Sequence, residues 1–457
     1  MLIDTTVIAA GIILLVALFI GLILVRLPLI DRFYLPASVA AGLLLLALSP
    51  QVTNIQFPEF GFTDNLYDSW SSLPSLLINV VFASLFLARP LISIKKIWKI
   101  AAPQAAYGQM IAWGFYGIGG LLTLFVLIPY LGVNPLTAAL IEISFEGGHG
   151  TAAGMIPVFE ELNFQQGQEM AVALATTSMI AALTVGIALI NWGRRKGYVN
   201  HETPVQRIKG SLYHRHIMMD LKKRGVSLRR ELSPLKLLSH VALLATGVGF
   251  GWLIYQGLLL LEANTWGANG VKIFGYMPLF TFCMFGGMFA QRLWSLFGLS
   301  ISRPTVEILS AVSLSVLVTT AIATMSLDFI STDGLTYLAL AAAGILWVLF
   351  CFLVLARHMF KKDWFAYAIT STGQSLGTTA TGLLFSQIVD PKQRTGAVES
   401  FGYKQLLFEP LMGGGMITAL SMPLIFAFGL PLFTTVCIII SISWMLAGIF
   451  IFSKQRR

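Results

Sequence analysis

The chain has 457 residues, 56% of them hydrophobic and only 11% charged, with a mean hydropathy of +0.79. A soluble domain carries about 25% charged residues, so this composition excludes a water-soluble fold and places the chain in lipid. The formal net charge is +9, but the basic residues sit in connectors between apolar runs, which excludes nucleic acid as a partner and points to membrane lipid headgroups.

Apolar runs recur from residue 7 to residue 452, so the chain reads as one all-α polytopic membrane protein. Spans are expected at roughly 7–25, 35–49, 73–89, 105–129 and 169–191, then 238–260, 273–290, 305–325, 335–356, 406–428 and 432–452. The first run lacks a basic n-region and is followed by further spans, so a retained helix is expected rather than a cleaved leader. Cys283, Cys351 and Cys437 fall far apart in apolar runs and read as small core residues, without disulfide or metal spacing.

Charge placement orients the spans. Connector 50–72 holds Glu59, Asp64 and Asp68 and no Lys or Arg, whereas 89–99 holds Arg89, Lys95, Lys96 and Lys99 and no acid. The long segment from Arg194 to Lys236 carries twelve Lys and Arg against three acids. The positive-inside rule then puts the N-terminus outside and the basic connectors and the C-terminus in the cytoplasm. The central basic run is expected to be a cytoplasmic linker with amphipathic pieces on anionic headgroups, with a site for a partner protein as the other reading.

Counted this way, two segments leave and return on the same side. In "ISFEGGHGTAAGM", Ile143–Met155, residue 129 has emerged outside and helix 169–191 must start there, because "GRRKG" follows its inner end. Segment 136–158 is therefore expected to be a re-entrant hairpin of two half-helices, each roughly 18 Å long. Its glycines break the helix at the tip, and irregular backbone survives at that depth only where it lines a cavity. "AITSTGQSLGTTATGLLF", Ala368–Phe385, is flanked by "RHMFKKDW" and "DPKQR", so it too should turn back, from the cytoplasmic side. Its "GTTATGL" echoes "GTAAGM", and Gly377 lies 377 − 150 = 227 positions after Gly150. The same shift carries span 335–356 onto 108–129.

Two inverted-topology repeats, each with an interrupted segment, are the sequence sign of a secondary transporter. The expected organisation is a first repeat 1–191 with hairpin 136–158, a basic cytoplasmic linker 192–237, a second repeat 238–430 with hairpin 365–389, and an added helix and basic tail 431–457.

The two tips offer ion and carboxylate handling rather than bond breaking. Glu142 and Glu146, spaced i, i+4, share a helix face and are candidate cation ligands, although Glu142 also reads as a solvated residue nearer the outer interface. Carbonyls around Gly147 and Gly148 would add hard oxygen ligands for sodium. A half-helix starting near Gly150 and Thr151 would present N–H groups to an anionic substrate. Ser375, Gly377, Thr378 and Thr379 offer the same from the other side, and Gln374 is a candidate hydrogen-bonding partner for a polar substrate. His149 has three readings: substrate ligand, proton carrier, or brace of the turn.

Other polar residues read more plainly. Asn79, Gln109 and His240 are single and should satisfy helix contacts. Glu307, Glu399 and Glu409 lie near expected cytoplasmic ends. "EELNFQQGQE", Glu160–Glu169, reads as a solvated outer turn, and "MGGG", Met412–Gly415, as close helix packing.

"GGHGTA", Gly147–Ala152, resembles the first-hairpin motif of the bacterial sodium/glutamate symporters. The similarity runs over roughly residues 1–430. The second motif, Leu376-Gly377-Thr378-Thr379-Ala380-Thr381, lacks the family's proline and its later asparagine. The resemblance implies two inverted halves with re-entrant loops in a bacterial inner membrane, sodium as the coupling ion without an organic cofactor, and an acidic amino acid as substrate. It also implies a homodimer with a mobile core carried past a scaffold.

The reading favoured is sodium-driven symport of a small anionic solute, glutamate foremost, by a protein that is not an enzyme. An anion channel or exchanger using the hairpins as a constriction is the alternative. An intramembrane enzyme with Glu146 and His149 as acid–base pair is a third reading, and no nucleophile motif or metal-ligand set accompanies it.

Overall fold

The computed structural model describes residues 5–27, 36–53, 64–88, 94–199, 233–265, 274–360, 362–391 and 393–452. Residues 200–232 of the basic linker, 54–63 of the acidic connector and the tail from 453 lie outside them, and with them the readings made there. Among the described residues every regular element is helical and none is a strand.

Among the described residues six helices are long and apolar enough to cross a bilayer: Ile100–Leu131, Gln165–Arg195, Pro234–Asn264, Arg303–Ala323, Phe329–Met359 and Leu430–Phe450. Shorter apolar helices occupy Ile8–Leu24, Ala37–Ala47, Pro135–Phe145 and Met416–Phe428. At 1.5 Å per residue the longest, Ile100–Leu131, reaches about 48 Å, more than the hydrocarbon thickness. The protein is a multi-pass, all-α membrane protein.

Several expected spans are corrected. The expected helix 406–428 is two: Ala397–Phe408 and Met416–Phe428, separated by a turn. Pro410 has no N–H to continue the helix, and Gly413 and Gly414 take φ of +66° and +99°, where a side chain would be strained. "MGGG" is thus a turn rather than a helix-packing patch. The span expected at 273–290 starts only at Leu279, behind Pro278, and runs to Leu296. The three cysteines are buried and free, as expected.

The chain divides into two compact units, each drawn from both halves: Met1–Pro90, Ala153–Asn163 and Ile208–Ser326 form the first, and Leu91–Ala152, Phe164–Arg207 and Leu327–Arg457 the second. In the first unit, helix Pro234–Asn264 packs backbone to backbone on Leu279–Leu296. A Cβ on Gly251 would stand 2.6 Å from Cys283 Cα, so only glycine permits that approach. His240 accepts from the Ser302 N–H at 2.9 Å through Nε2 while Nδ1 meets the Lys236 carbonyl at 2.8 Å, a satisfied helix contact. Both Glu262 carboxylate oxygens accept backbone N–H groups, from Phe274 and Gly275, at 3.1 Å each.

The second unit is built on the long helices Ile94–Leu122, Gln165–Arg195, Phe329–Phe350 and Leu430–Phe450. Trp347 lies along Ile94–Leu122 and donates its indole N–H to the Ile111 carbonyl at 3.0 Å. Two of these helices widen into π-helical turns, at Thr123–Leu127 and Cys351–Leu355. The turns are 351 − 123 = 228 residues apart, one more than the offset between Gly150 and Gly377. Each is followed by one α turn, Ile128–Leu131 and Ala356–Met359.

After helix Thr379–Val389, Asp390 closes the next loop. Its carboxylate accepts from the N–H of Arg394 at 3.0 Å and from the N–H and hydroxyl of Thr395 at 2.8 and 2.6 Å. Burial pushes this carboxyl up, but those hydrogen bonds and the Arg394 charge outweigh it and hold it below its ordinary value. A depressed carboxylate stabilises the fold above its unfolded pKa, and that contribution is lost as pH falls through the folded value. Asp390→Asn is therefore expected to lower the thermal midpoint near neutral pH and to remove part of the loss seen on acidification to about pH 3. Thermal unfolding of detergent-purified protein at both pH values reads this.

Candidate functional site

Both interrupted stretches deliver their tips to the second unit. The first begins at Asn134, whose side chain accepts from the Leu136 N–H at 2.9 Å and starts a 3-10 turn, Pro135–Ala139. Helix Leu140–Phe145 follows and is buried on every side. It ends because the N–H groups of Glu146 and Gly147 both reach the Glu142 carbonyl, at 3.1 Å each, and Gly148 turns to φ +68°. The next helix, Gly148–Gly154, begins two residues before the expected start at Gly150.

Within this tip, Glu142 is wholly buried and fully partnered. Tyr116 donates to Oε2 at 2.5 Å, and the Gly413 N–H and the Thr418 hydroxyl donate to Oε1 at 3.1 and 2.9 Å. Glu142 thus anchors the glycine turn to the first tip. Glu146, 7% exposed, receives one hydrogen bond, from the Ser375 hydroxyl to Oε1 at 2.6 Å. Its Oε2 is buried without a partner, as is the Ser144 hydroxyl on the same arm.

Buried beyond the turn, His149 places Nε2 2.9 Å from the Thr176 hydroxyl. That hydroxyl donates to the Val172 carbonyl at 3.2 Å, which leaves Nε2 as the donor and Nδ1 as the unprotonated nitrogen. Thr151 turns its hydroxyl back to the Gly147 carbonyl at 2.9 Å, and Gly150 is buried between them in sequence.

The second stretch is a helical hairpin, Trp364–Ser375 and Thr379–Val389, and its first arm is buried from Phe365 onward. Its arms meet at two glycines: a Cβ on Gly373 would lie 2.8 Å from the Gly382 Cα. Leu376 and Gly377 make the turn, and Thr378 caps the second arm, its hydroxyl accepting the Thr381 N–H at 3.4 Å. Thr379 accepts from the Gln405 amide at 2.8 Å. The same amide donates to Glu409 at 3.0 Å, so Glu409 joins this tip rather than standing free at a helix end.

Ser375 and Glu146 join the two tips directly, across 229 positions of sequence. Beside that link stands a group the sequence reading missed. Lys404, on helix Ala397–Phe408, is wholly buried and donates to Gln374 Oε1 at 2.6 Å. Its ammonium rests 3.9 Å from the centre of the Phe408 ring. Tyr116, Thr176, Gln405 and Thr418 were missed as well. Lys404 lies 404 − 176 = 228 positions after Thr176, the same offset as the π-helical turns, and each of the two touches one tip.

Interrupted helices that bring buried carboxylate, amide, hydroxyl and ammonium groups together define a secondary transporter. The sequence profile of the sodium/glutamate symporter family matches residues 3–392. The chain belongs to that family and is a sodium-coupled transporter. No curated protein matches the chain. The matched residues include both tips and stop before Lys404. Among the described residues no group of three or more His, Cys, Asp or Glu is placed to hold a metal ion. Sodium, the coupling ion that the family implies, is carried rather than resident.

The two glutamates should separate in their effects. Glu142→Leu strands a phenol, a hydroxyl and a backbone N–H in the interior and is expected to cost about 2–4 kcal/mol of stability. Glu146→Gln keeps an acceptor for the Ser375 hydroxyl but removes a charge facing the buried Lys404 ammonium, and it is expected to lower the thermal midpoint of the purified protein less than Glu142→Leu does.

Proposed function

We propose that the protein takes up glutamate, or a similarly small dicarboxylate amino acid, with sodium by alternating access, binding both between the two tips. The observation that carries this reading is the Ser375 to Glu146 hydrogen bond of 2.6 Å, which makes one site of two stretches far apart in sequence.

Glu146 Oε2, without a donor, serves as the sodium ligand of highest charge, and the Gly147 and Gly148 carbonyls add neutral oxygens. Sodium takes hard oxygen ligands, so hydroxyl and carbonyl groups suffice around a single carboxylate. The anionic substrate lies against the Thr378-capped start of helix Thr379–Val389, where unpaired N–H groups and the positive end of the helix dipole converge. Gln374, Ser375 and Thr379 hydrogen-bond it from that tip, and His149, Gly150 and Thr151 from the other. Glu142, saturated by its own donors, holds the first tip in shape.

The unit that carries both tips changes sidedness and exposes the pair alternately to each face. The 228-residue offset between the π-helical turns supports two equivalent halves, and the charge asymmetry of the connectors supports their inverted orientation with the N-terminus outside. A homodimer in a bacterial inner membrane completes the reading. Inward sodium flow drives uptake, each charge moved down 100 mV supplying roughly 2.3 kcal/mol.

Glu146→Gln, Thr378→Ala and His149→Ala are each expected to lower sodium-driven uptake of labelled glutamate into liposomes on the order of 30–100-fold, the equivalent of one charged hydrogen bond. Membrane levels should stay normal. Wild-type kinetics in all three variants would remove the tips from the binding site.

A further inference from the structure

Lys404 has no role in the symport reading above, yet its surroundings are those of a working group. We propose that Lys404 couples the two cargoes: its ammonium offsets Glu146 in the empty carrier and turns to a substrate carboxylate in the loaded one, releasing Glu146 to take sodium. This rests on the symport reading and names the residue that links its two ligands.

The geometry carries the argument. Lys404 and Glu146 are each one hydrogen bond from consecutive residues of the second tip, Lys404 through Gln374 at 2.6 Å and Glu146 through Ser375 at 2.6 Å. The ammonium interacts electrostatically with Glu146 and with Glu409, yet among the described residues it makes no direct ion pair with Glu146, and Gln374 is its one hydrogen-bond partner there. An ammonium has three N–H donors, so two remain to be filled, while Glu146 keeps a buried oxygen without a donor. Burying both charges is costly unless each is compensated, and here compensation is partial on both sides.

The position is shaped for this amine. A Cβ on Gly108 would lie 2.5 Å from Lys404 Cε and 2.7 Å from Nζ, so a side chain at residue 108 would displace the amine from the place it holds here. The ring of Phe408 supports the ammonium from a further side. The position 228 residues earlier holds the neutral Thr176, which meets the first tip with a hydroxyl where Lys404 meets the second with a cation.

The chemistry follows from charge. A cation beside Glu146 repels sodium. A carboxylate that docks on the two unused N–H groups neutralises the lysine, and Glu146 regains its attraction for sodium. Linkage is reciprocal, so sodium at Glu146 must in turn tighten substrate binding. A neutral solute gives Lys404 no partner and leaves sodium weakly held, which ties transport to acidic substrates.

Sodium titration by calorimetry of the full-length protein in lipid nanodiscs, with and without saturating glutamate, tests this. In the wild type, glutamate should tighten sodium binding by about tenfold. Lys404→Met, which keeps an unbranched stem without the charge, should bind sodium tighter than wild type when glutamate is absent. Glutamate should then leave its sodium affinity unchanged. Lys404→Met with wild-type linkage, or with weaker sodium binding, overturns the proposal. If that variant does not fold, Lys404→Arg decides: retained charge predicts retained linkage, and a folded Lys404→Arg without it overturns the proposal equally. A wild-type protein that binds and transports neither sodium nor glutamate sinks the symport reading itself. Binding of both, with linkage indifferent to residue 404, sinks only the role given to the lysine.

Discussion

A carboxylate held away from water must find its donors within the chain, and this requirement organises the second unit. Glu142 draws together a tyrosine from one long helix, a backbone N–H from the glycine turn and a threonine from the helix beyond it. Glu146 reaches across to the other interrupted stretch through Ser375. Neither link is local, and each fixes a piece of irregular backbone that has no helical ladder to hold it. The two carboxylates, four residues apart, differ in one respect that matters: the first has every oxygen engaged, and the second keeps one in reserve. Full engagement builds structure, and reserve leaves capacity to bind.

Much of this was legible in the residues. Composition and the recurrence of apolar runs specify a helical membrane protein. The glycines at 147, 148 and 377 mark where the helices break, because a backbone without a Cβ tolerates the turn. The motif Gly147–Ala152 points to the family to which the chain belongs. Less of the site could be read. Lys404 stands in "GYKQLLF", where a single lysine beside an aromatic residue reads as the interfacial end of a helix, since hydropathy weighs a buried lysine and an exposed one alike. Met412–Gly415 reads as packing because small residues serve both for close helix contact and for turns, and only the Glu142 carboxylate decides between them. Glu409 misled for a similar reason: its partners Gln405 and Thr379 are joined to it by the fold of the tip, which no spacing along the chain reveals.

Two pairs of positions share one offset along the chain. The π-helical turns at Thr123–Leu127 and Cys351–Leu355 keep an offset of 228 residues, and so do the positions of Thr176 and Lys404. An extra residue within a helix rotates everything beyond it, so the two π-helical turns reorient the ends of their long helices in the same way. What differs within the second pair is charge. One tip meets a threonine hydroxyl and the other an ammonium. The two tips therefore sit in different fields.

The interleaving of the two units has a consequence for how the protein is made. The unit that holds both tips takes segments from residue 91 to the last helix, so a nascent chain that has passed Glu146 still lacks Ser375 and Lys404. Through the synthesis of more than two hundred further residues, that carboxylate has neither its donor nor its counter-charge. The early tip must therefore stay open to water, or be sheltered by the insertion machinery, until the ribosome delivers the end of the chain.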